Sequence, residues 1–256
     1  MPLINAGGLS VHAQILGDRS PDGAPVIMIH GLLVGSLAGW YFGAASSLAG
    51  KHQVILYDLR GHGRSEKTLT GYDLAGLSRD LDELIKALDL SRPINLVGHS
   101  YGALIALRWA LDHPGATDRL VLVEPPIPPS SLHSIDALAA RTPQELLSIL
   151  PESLQSTLRS GGRRAGRFLK GITFLLTESS LLADLQAEPD FSDQEPASLD
   201  IPVLAVFGRA SPCYANVDRI QRILPNVCIE VLDGGHFLPM EQTLPLTELI
   251  AGFLDE

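Results

Sequence analysis

The chain has 256 residues, a length that single α/β domains often reach. Apolar residues make up 45% of it, which excludes a disordered chain, and a formal net charge of −10 opposes binding to nucleic acid or to an anionic membrane. No uninterrupted apolar run approaches the length of a membrane span, and the opening MPLINAGGLSVHA lacks the basic and apolar regions of a signal peptide. The two cysteines, Cys213 and Cys228, form neither a disulfide framework nor a metal-type cluster. These features predict a soluble, reduced, cytoplasmic protein of enzyme size.

In chain order, LINAGGLSVHAQILG alternates around Gly7-Gly8 and predicts a hairpin. Short apolar runs follow at 26–30 (VIMIH), 53–58 (QVILYD), 94–97 (INLV), 119–123 (RLVLV), 202–207 (PVLAVF) and 228–232 (CIEVL). They are β-branched and nearly continuously apolar, as strands covered on both faces should be. Between them, residues 74–90 place Leu74, Leu77, Leu81, Leu84, Ile85 and Leu88 on one helical face. Residues 101–112 predict a second helix, stopped by His113-Pro114, and NVDRIQRIL at 216–224 predicts another. Strand alternating with helix means a parallel sheet with helices on both sides.

Residues 125–199 break that rhythm. They begin PPIPPSS, hold no convincing strand, and at 162–177 repeat Ala165, Phe168, Leu169, Ile172, Leu175 and Leu176 at helical spacing. Roughly 75 residues without a strand is too long for a loop in a compact domain. The expected organisation is a core of residues 1–124 and 200–256 with a helical cap, 125–199, inserted after RLVLV. Arg159, Arg163, Arg164, Arg167 and Lys170 cluster there with no acid among them, an anomaly in so acidic a chain. They read as a solvated face, or as a site for an anionic substrate tail or an acidic carrier protein.

Chemistry enters at GHSYG, Gly98 to Gly102, between the strand INLV and the helix at 101. A serine on a tight strand-to-helix turn needs small flanking residues, and Ser100 has glycine on both sides. An oxyanion that develops on attack needs donors, and the backbone N–H groups of Leu32, in HGLL after VIMI, and of Tyr101 are the expected pair. Of the eight histidines, His236 in DGGHFLPME follows the last strand and is the expected base. His30 and His99 read as structural.

Together His30-Gly31, DLRGHGRS (Asp58 to Ser65), GHSYG and GGHFLPME stand in the order seen in the α/β-hydrolase fold superfamily, which this chain resembles over nearly all its length outside the cap. The resemblance implies a mostly parallel sheet of about eight strands, one antiparallel, with helices on both faces. It implies an active site at the strands' carboxyl ends, no metal and no organic cofactor. It also implies a mainly structural role for the loop holding Asp58. Relatives usually carry the triad acid after the PVLAVF strand, where this chain has Ser211. Asp218 reads as a solvated helix residue, and Asp233 is too near His236 in sequence. Glu124, ending RLVLV, is the favoured acid, as in haloalkane dehalogenases, which carry theirs on this strand. A Ser–His pair without an acid is the alternative. With serine as nucleophile, the expected function is cleavage of an ester, lactone or thioester; C–C hydrolysis of diketones, a non-hydrolytic cyclase, or a small-molecule-binding protein are the alternatives.

Overall fold

A reversal at Gly7 and Gly8, with φ of 59° and 98°, joins β1 (Leu3–Ala6) to β2 (Leu9–Leu16) in the predicted hairpin. Such left-handed positions are where glycine carries no Cβ penalty. The computed structural model describes residues 3–18, 23–90, 93–131, 150, 152–159 and 161–256. The other strands are β3 (Val26–Ile29), β4 (Val54–Tyr57), β5 (Ile94–His99), β6 (Thr117–Val123), β7 (Val203–Gly208) and β8 (Val227–Leu232). They form one eight-stranded sheet in the order β1-β2-β4-β3-β5-β6-β7-β8. Strand β2 runs antiparallel to both neighbours, and every other pairing is parallel.

The inner strands β3 to β7 are largely buried on both faces, which is why they read as continuous apolar runs. In β3, Ile27 and Ile29 join a core with Leu77, Leu81, Leu104 and Leu107. The alternate residues Val26 and Met28 pack on the other face with Trp40, Leu246 and Ile250. On the first face lie the helices Leu74–Ala87 and Tyr101–Asp112; on the second lies Thr243–Leu254. Asp73 starts the first helix by accepting from the Gly76 N–H at 2.7 Å. That helix stops at Ala87, three residues short of the predicted end, because Leu88 is its cap and Asp89 turns to a φ of 51°.

Between β6 and β7 the described elements are helical: Glu152–Arg159, Arg163–Thr177, Leu181–Ala187 and Gln194–Ala197. Residues 132–149 of the expected insertion, and the side chain of Arg164, lie outside the described residues. Carboxylates tie this region to the sheet domain. Asp184 accepts from the Tyr72 N–H (2.9 Å), just before the helix Leu74–Ala87, and Glu188 from the Leu74 N–H (2.7 Å), at its first residue. A helix N-terminus has free N–H groups and a positive dipole end, so acids are well placed there. Among the described residues, no helix is long and apolar enough to cross a membrane.

The Asp58 loop behaves as a clasp. The buried Asp58 carboxylate accepts from the N–H groups of Leu37 (2.9 Å) and Arg64 (3.0 Å) and contacts His12 Nδ1 at 2.7 Å. Ser65 Oγ donates to the Asp58 carbonyl at 2.6 Å and accepts from the His12 N–H at 2.8 Å. Deleting the carboxylate strands several buried donors at once. Asp58→Ala should therefore lower unfolding stability by about 3 kcal/mol or more, read from the urea midpoint at unchanged m-value.

Candidate active site

Four strand ends converge on one place. Ser100 follows β5, Glu124 follows β6, Ser211 lies three residues beyond β7, and His236 follows β8 on a turn. The first two extend the sheet's own ladder: Ser100 N–H donates to the Val123 carbonyl and Glu124 N–H to that of Val206, each at 2.8 Å. Their side chains are thus set by the register of the neighbouring strands, not by loop conformation.

Ser100 sits at φ 56° and ψ −126°, a conformation costly for any residue with a Cβ. Its flanking glycines are required by packing. A Cβ on Gly98 would lie 2.3 Å from the Gly102 carbonyl oxygen, and one on Gly102 would lie 2.5 Å from that of Ile29. Ser100 Oγ is 2.9 Å from His236 Nε2, and His236 Nδ1 is 3.1 Å from Glu124 Oε2. A carboxylate only accepts, so Nδ1 carries the imidazole proton and Nε2 is left to accept from the serine hydroxyl.

Glu124 is fully buried and has a φ of 55°. Besides His236, it accepts from the Gly208 N–H through Oε1 and from the Ser211 hydroxyl through Oε2. Ser211, where a carboxylate was expected by resemblance, instead bonds to one arriving from the adjacent strand. It also caps the turn Pro212–Asn216, accepting from the Cys213 N–H at 3.1 Å. Asp218 is exposed on the helix Val217–Ile223, and Asp233 is exposed and paired with Arg209 at 3.2 Å. Neither is brought to the histidine.

The tight turn from His30 to Leu37 is held from behind by histidines. His30 donates from Nδ1 to the Gly31 carbonyl (2.7 Å) and accepts at Nε2 from the Leu59 N–H (3.0 Å). His62 donates from Nδ1 to the Arg60 carbonyl (2.8 Å) and accepts at Nε2 from the Leu33 N–H (2.9 Å). Burial, above all, pushes the pKa of His62 down to about 3 and lowers that of His30, so both stay neutral donor–acceptor bridges. Among the described residues, no group accepts from the Leu32 or Tyr101 N–H. Tyr101 opens the helix Tyr101–Asp112, so its N–H points along the positive end of that helix.

Two neighbours of His236 carry no sequence signal of their role. His99 Nε2 donates to the His236 carbonyl at 2.7 Å, and burial, helped by His236, holds the His99 pKa down at about 3. Cys213 Sγ stands 3.7 Å from His236 Nδ1. Burial first, then the Glu124 charge, pushes its thiol up to about 12, so it stays protonated. Among the described residues, Glu124, Cys213 and His236 bring one potential metal-ligand atom each within 4.8 Å of one another.

A family model described as alpha/beta hydrolase fold matches residues 24–243. Among curated proteins, the chain is 37% identical over 134 residues to a protein named carbamate hydrolase RutD from Variovorax paradoxus (strain S110), covering 52% of this chain and 48% of that one. A protein of the same name from Caulobacter sp. (strain K31) is 35% identical over 114 residues, 44% of this chain and 41% of its own. The match thus spans less than half the length of either relative. Among solved structures, the enol-lactonase from Burkholderia xenovorans LB400 superposes with a TM-score of 0.79 at 19% identity, covering 100% of both chains. The meta-cleavage product hydrolase from Pseudomonas fluorescens IP01 gives 0.76 at 21% identity, over 98% of this chain and 96% of that one. At such identities these two share the fold with this chain.

The backbone at Ser100 has a measurable consequence. Glycine occupies φ 56°, ψ −126° without the Cβ clash, whereas alanine keeps it. Ser100→Gly should be more stable than Ser100→Ala by about 1 kcal/mol, the relief of strain outweighing the extra chain entropy of glycine. Chemical denaturation of the two variants side by side checks this.

Proposed function

Because the chain belongs to the α/β-hydrolase fold family, we propose that it is a serine hydrolase cleaving a carboxylic ester, lactone or thioester through Ser100, His236 and Glu124. The observation that carries this reading is the unbroken chain from Ser100 Oγ to His236 Nε2 and from His236 Nδ1 to Glu124. Ser100 attacks the carbonyl carbon and gives its proton to Nε2. The Leu32 and Tyr101 N–H groups take the oxyanion. His236, now an imidazolium held by Glu124, returns the proton to the leaving group as the acyl-enzyme forms. Water repeats the cycle against the acyl-enzyme, with His236 again as base. No organic cofactor enters.

Residues 125–199 serve in this reading as a cap over the site. Supporting it, Leu158 and Ala165 of the helical region pack with Phe168 against Val34 and Phe237. Val34 adjoins the Leu32 donor and Phe237 adjoins the base, so this apolar cluster is positioned to select the acyl or alcohol part. On the outside, Arg159, Arg163, Arg167 and Lys170 are exposed and, among the described residues, none is paired with a carboxylate. They suit an anionic substrate tail or an acidic carrier protein. Free Cys213 and Cys228 fit a reducing cytoplasmic setting.

A fluorophosphonate should label Ser100 stoichiometrically, and Ser100→Ala should fold but neither label nor turn over p-nitrophenyl esters. Absence of both labelling and ester turnover in the intact chain would overturn the hydrolase reading in favour of a binding protein or cyclase. Glu124→Gln should cost on the order of 10³–10⁴ in kcat with little change in KM, since the amide keeps the shape but loses the charge facing imidazolium. Glu124→Gln/Ser211→Asp should recover part of that loss, because β6 and β7 end side by side and an acid from either reaches the same imidazole. A Glu124→Gln variant within about tenfold of the parent would remove Glu124 from the mechanism.

The cap makes a separate kinetic claim. Reversing Arg163, Arg167 and Lys170 to glutamate should raise KM for anionic esters by about tenfold and flatten its salt dependence. Neutral short-chain esters should be unaffected in kcat. An unchanged KM on both substrate types would return these residues to a solvated face.

A further inference from the structure

We infer that Glu124, Cys213 and His236 form a latent inhibitory site for a thiophilic divalent cation, zinc in particular, at the buried face of the base. Three ligand atoms of the right types already converge. Sγ to Nδ1 is 3.7 Å and Nδ1 to Oε2 is 3.1 Å, with all three atoms within 4.8 Å of one another. Tetrahedral zinc, with bonds of about 2.0–2.3 Å to nitrogen, oxygen and sulfur, spaces its ligands at about 3.3–3.6 Å. Small side-chain adjustments therefore close the set, leaving a fourth position for Ser211 Oγ or solvent. One sulfur, one imidazole and one carboxylate favour zinc over magnesium or calcium, which take oxygen ligands.

The charges also balance. A thiolate at Cys213 and the carboxylate at Glu124 neutralise the cation, which matters where Glu124 is fully buried and Cys213 is 8% exposed. Access runs past the imidazole, whose side chain is 29% exposed. On binding, the Cys213 thiol proton leaves to solvent. The His236 proton shifts from Nδ1, now bound to metal, to Nε2. Nε2 then has no lone pair to accept the Ser100 proton, and the nucleophile is silenced while the substrate pocket stays open. Inhibition should fall on kcat, with KM nearly constant. The binding claim stands on geometry alone; the inhibition claim rests on the proposed serine-hydrolase reading.

The test uses the full chain stripped with a chelator, titrated with Co²⁺ and with Zn²⁺ in non-coordinating buffer. One equivalent of Co²⁺ should produce a near-ultraviolet thiolate-to-metal charge-transfer band and the intense visible bands of tetrahedral cobalt, both bleached by Zn²⁺. The bands should survive Cys228→Ala and vanish in Cys213→Ala and Cys213→Ser. Saturating Zn²⁺ should lower ester kcat on the order of 10²-fold or more, reversibly with EDTA. Cys213→Ala should weaken zinc inhibition at least about 100-fold, since even an outer partner of a metal site is worth 10–100-fold. Absence of the charge-transfer band in the parent chain overturns the site, as does its loss in Cys228→Ala instead. A band that depends on Cys213 without loss of ester kcat sustains the site and overturns the inhibition. If the parent chain has no ester turnover at all, the band still decides the site, and the hydrolase reading fails separately.

Discussion

Taking the Glu124 carboxylate wholly out of water costs several kcal/mol unless its lone pairs are filled, and much of the site's construction serves to fill them. Three donors do so, each from a different segment. Gly208 offers a backbone N–H from the end of β7, Ser211 offers a hydroxyl from the turn beyond it, and His236 offers Nδ1–H from the turn after β8. The same three bonds therefore pin the ends of three neighbouring strands together. Because the His236 tautomer follows from the carboxylate, so does the free lone pair facing Ser100. Ser211 is best understood here. With no charge of its own, it completes the solvation of a charge that comes from the next strand.

Strain and support are paired around this point. Ser100 and Glu124 both hold positive φ, at 56° and 55°, although neither is glycine. Each sits one residue past a parallel strand, and each has its N–H tied to the strand beside it. The ladder over-determines the backbone, so the unfavourable torsions persist where a free loop would relax. Behind them, neutral histidines at 30, 62 and 99 act as rigid bridges between turns. Burial keeps them from gaining a proton, and their partners, one carbonyl and in two cases one N–H, leave each ring a single usable tautomer.

Much of this was legible in the residues alone, for identifiable reasons. Strands buried on both faces announce themselves as apolar runs, so β3 to β7 could be placed within a residue or two, and half-buried β8 as closely from CIEVL. The strand-to-helix turn at GHSYG was readable because so tight a turn tolerates few residue types at its flanks. The meeting of Glu124 with His236 was readable because Glu124 ends a strand adjacent to that of Ser100 and precedes a proline-rich turn. The end of the helix Leu74–Ala87 was not, since nothing in LDL marks a left-handed Asp89. His99 and Cys213 were not readable either. Their contacts with His236 bridge 137 and 23 residues of chain, and no local pattern encodes such a meeting.

The position of the carboxylate that meets His236 shows what the fold does and does not constrain. Parallel strands lie about 4.8 Å apart, so Ser211, beyond β7, meets the carboxylate that Glu124 brings to His236 from the end of β6. In the proposed mechanism the requirement is a carboxylate against Nδ1, a point in space that more than one backbone position can serve. At the end of β6, Glu124 is fully buried. Glu124 lies beneath the histidine with a protein donor on each oxygen and no exposure to water. In the proposed reaction, that arrangement places the charge where an imidazolium forms and where the low dielectric makes their attraction strongest. Cys213, in the turn that Ser211 caps, stands within reach of the same proton-bearing nitrogen. The thiol, imidazole and carboxylate proposed above to hold zinc thus meet at the nitrogen that also faces Glu124, so a cation bound there would compete directly for the contact on which the proposed mechanism depends.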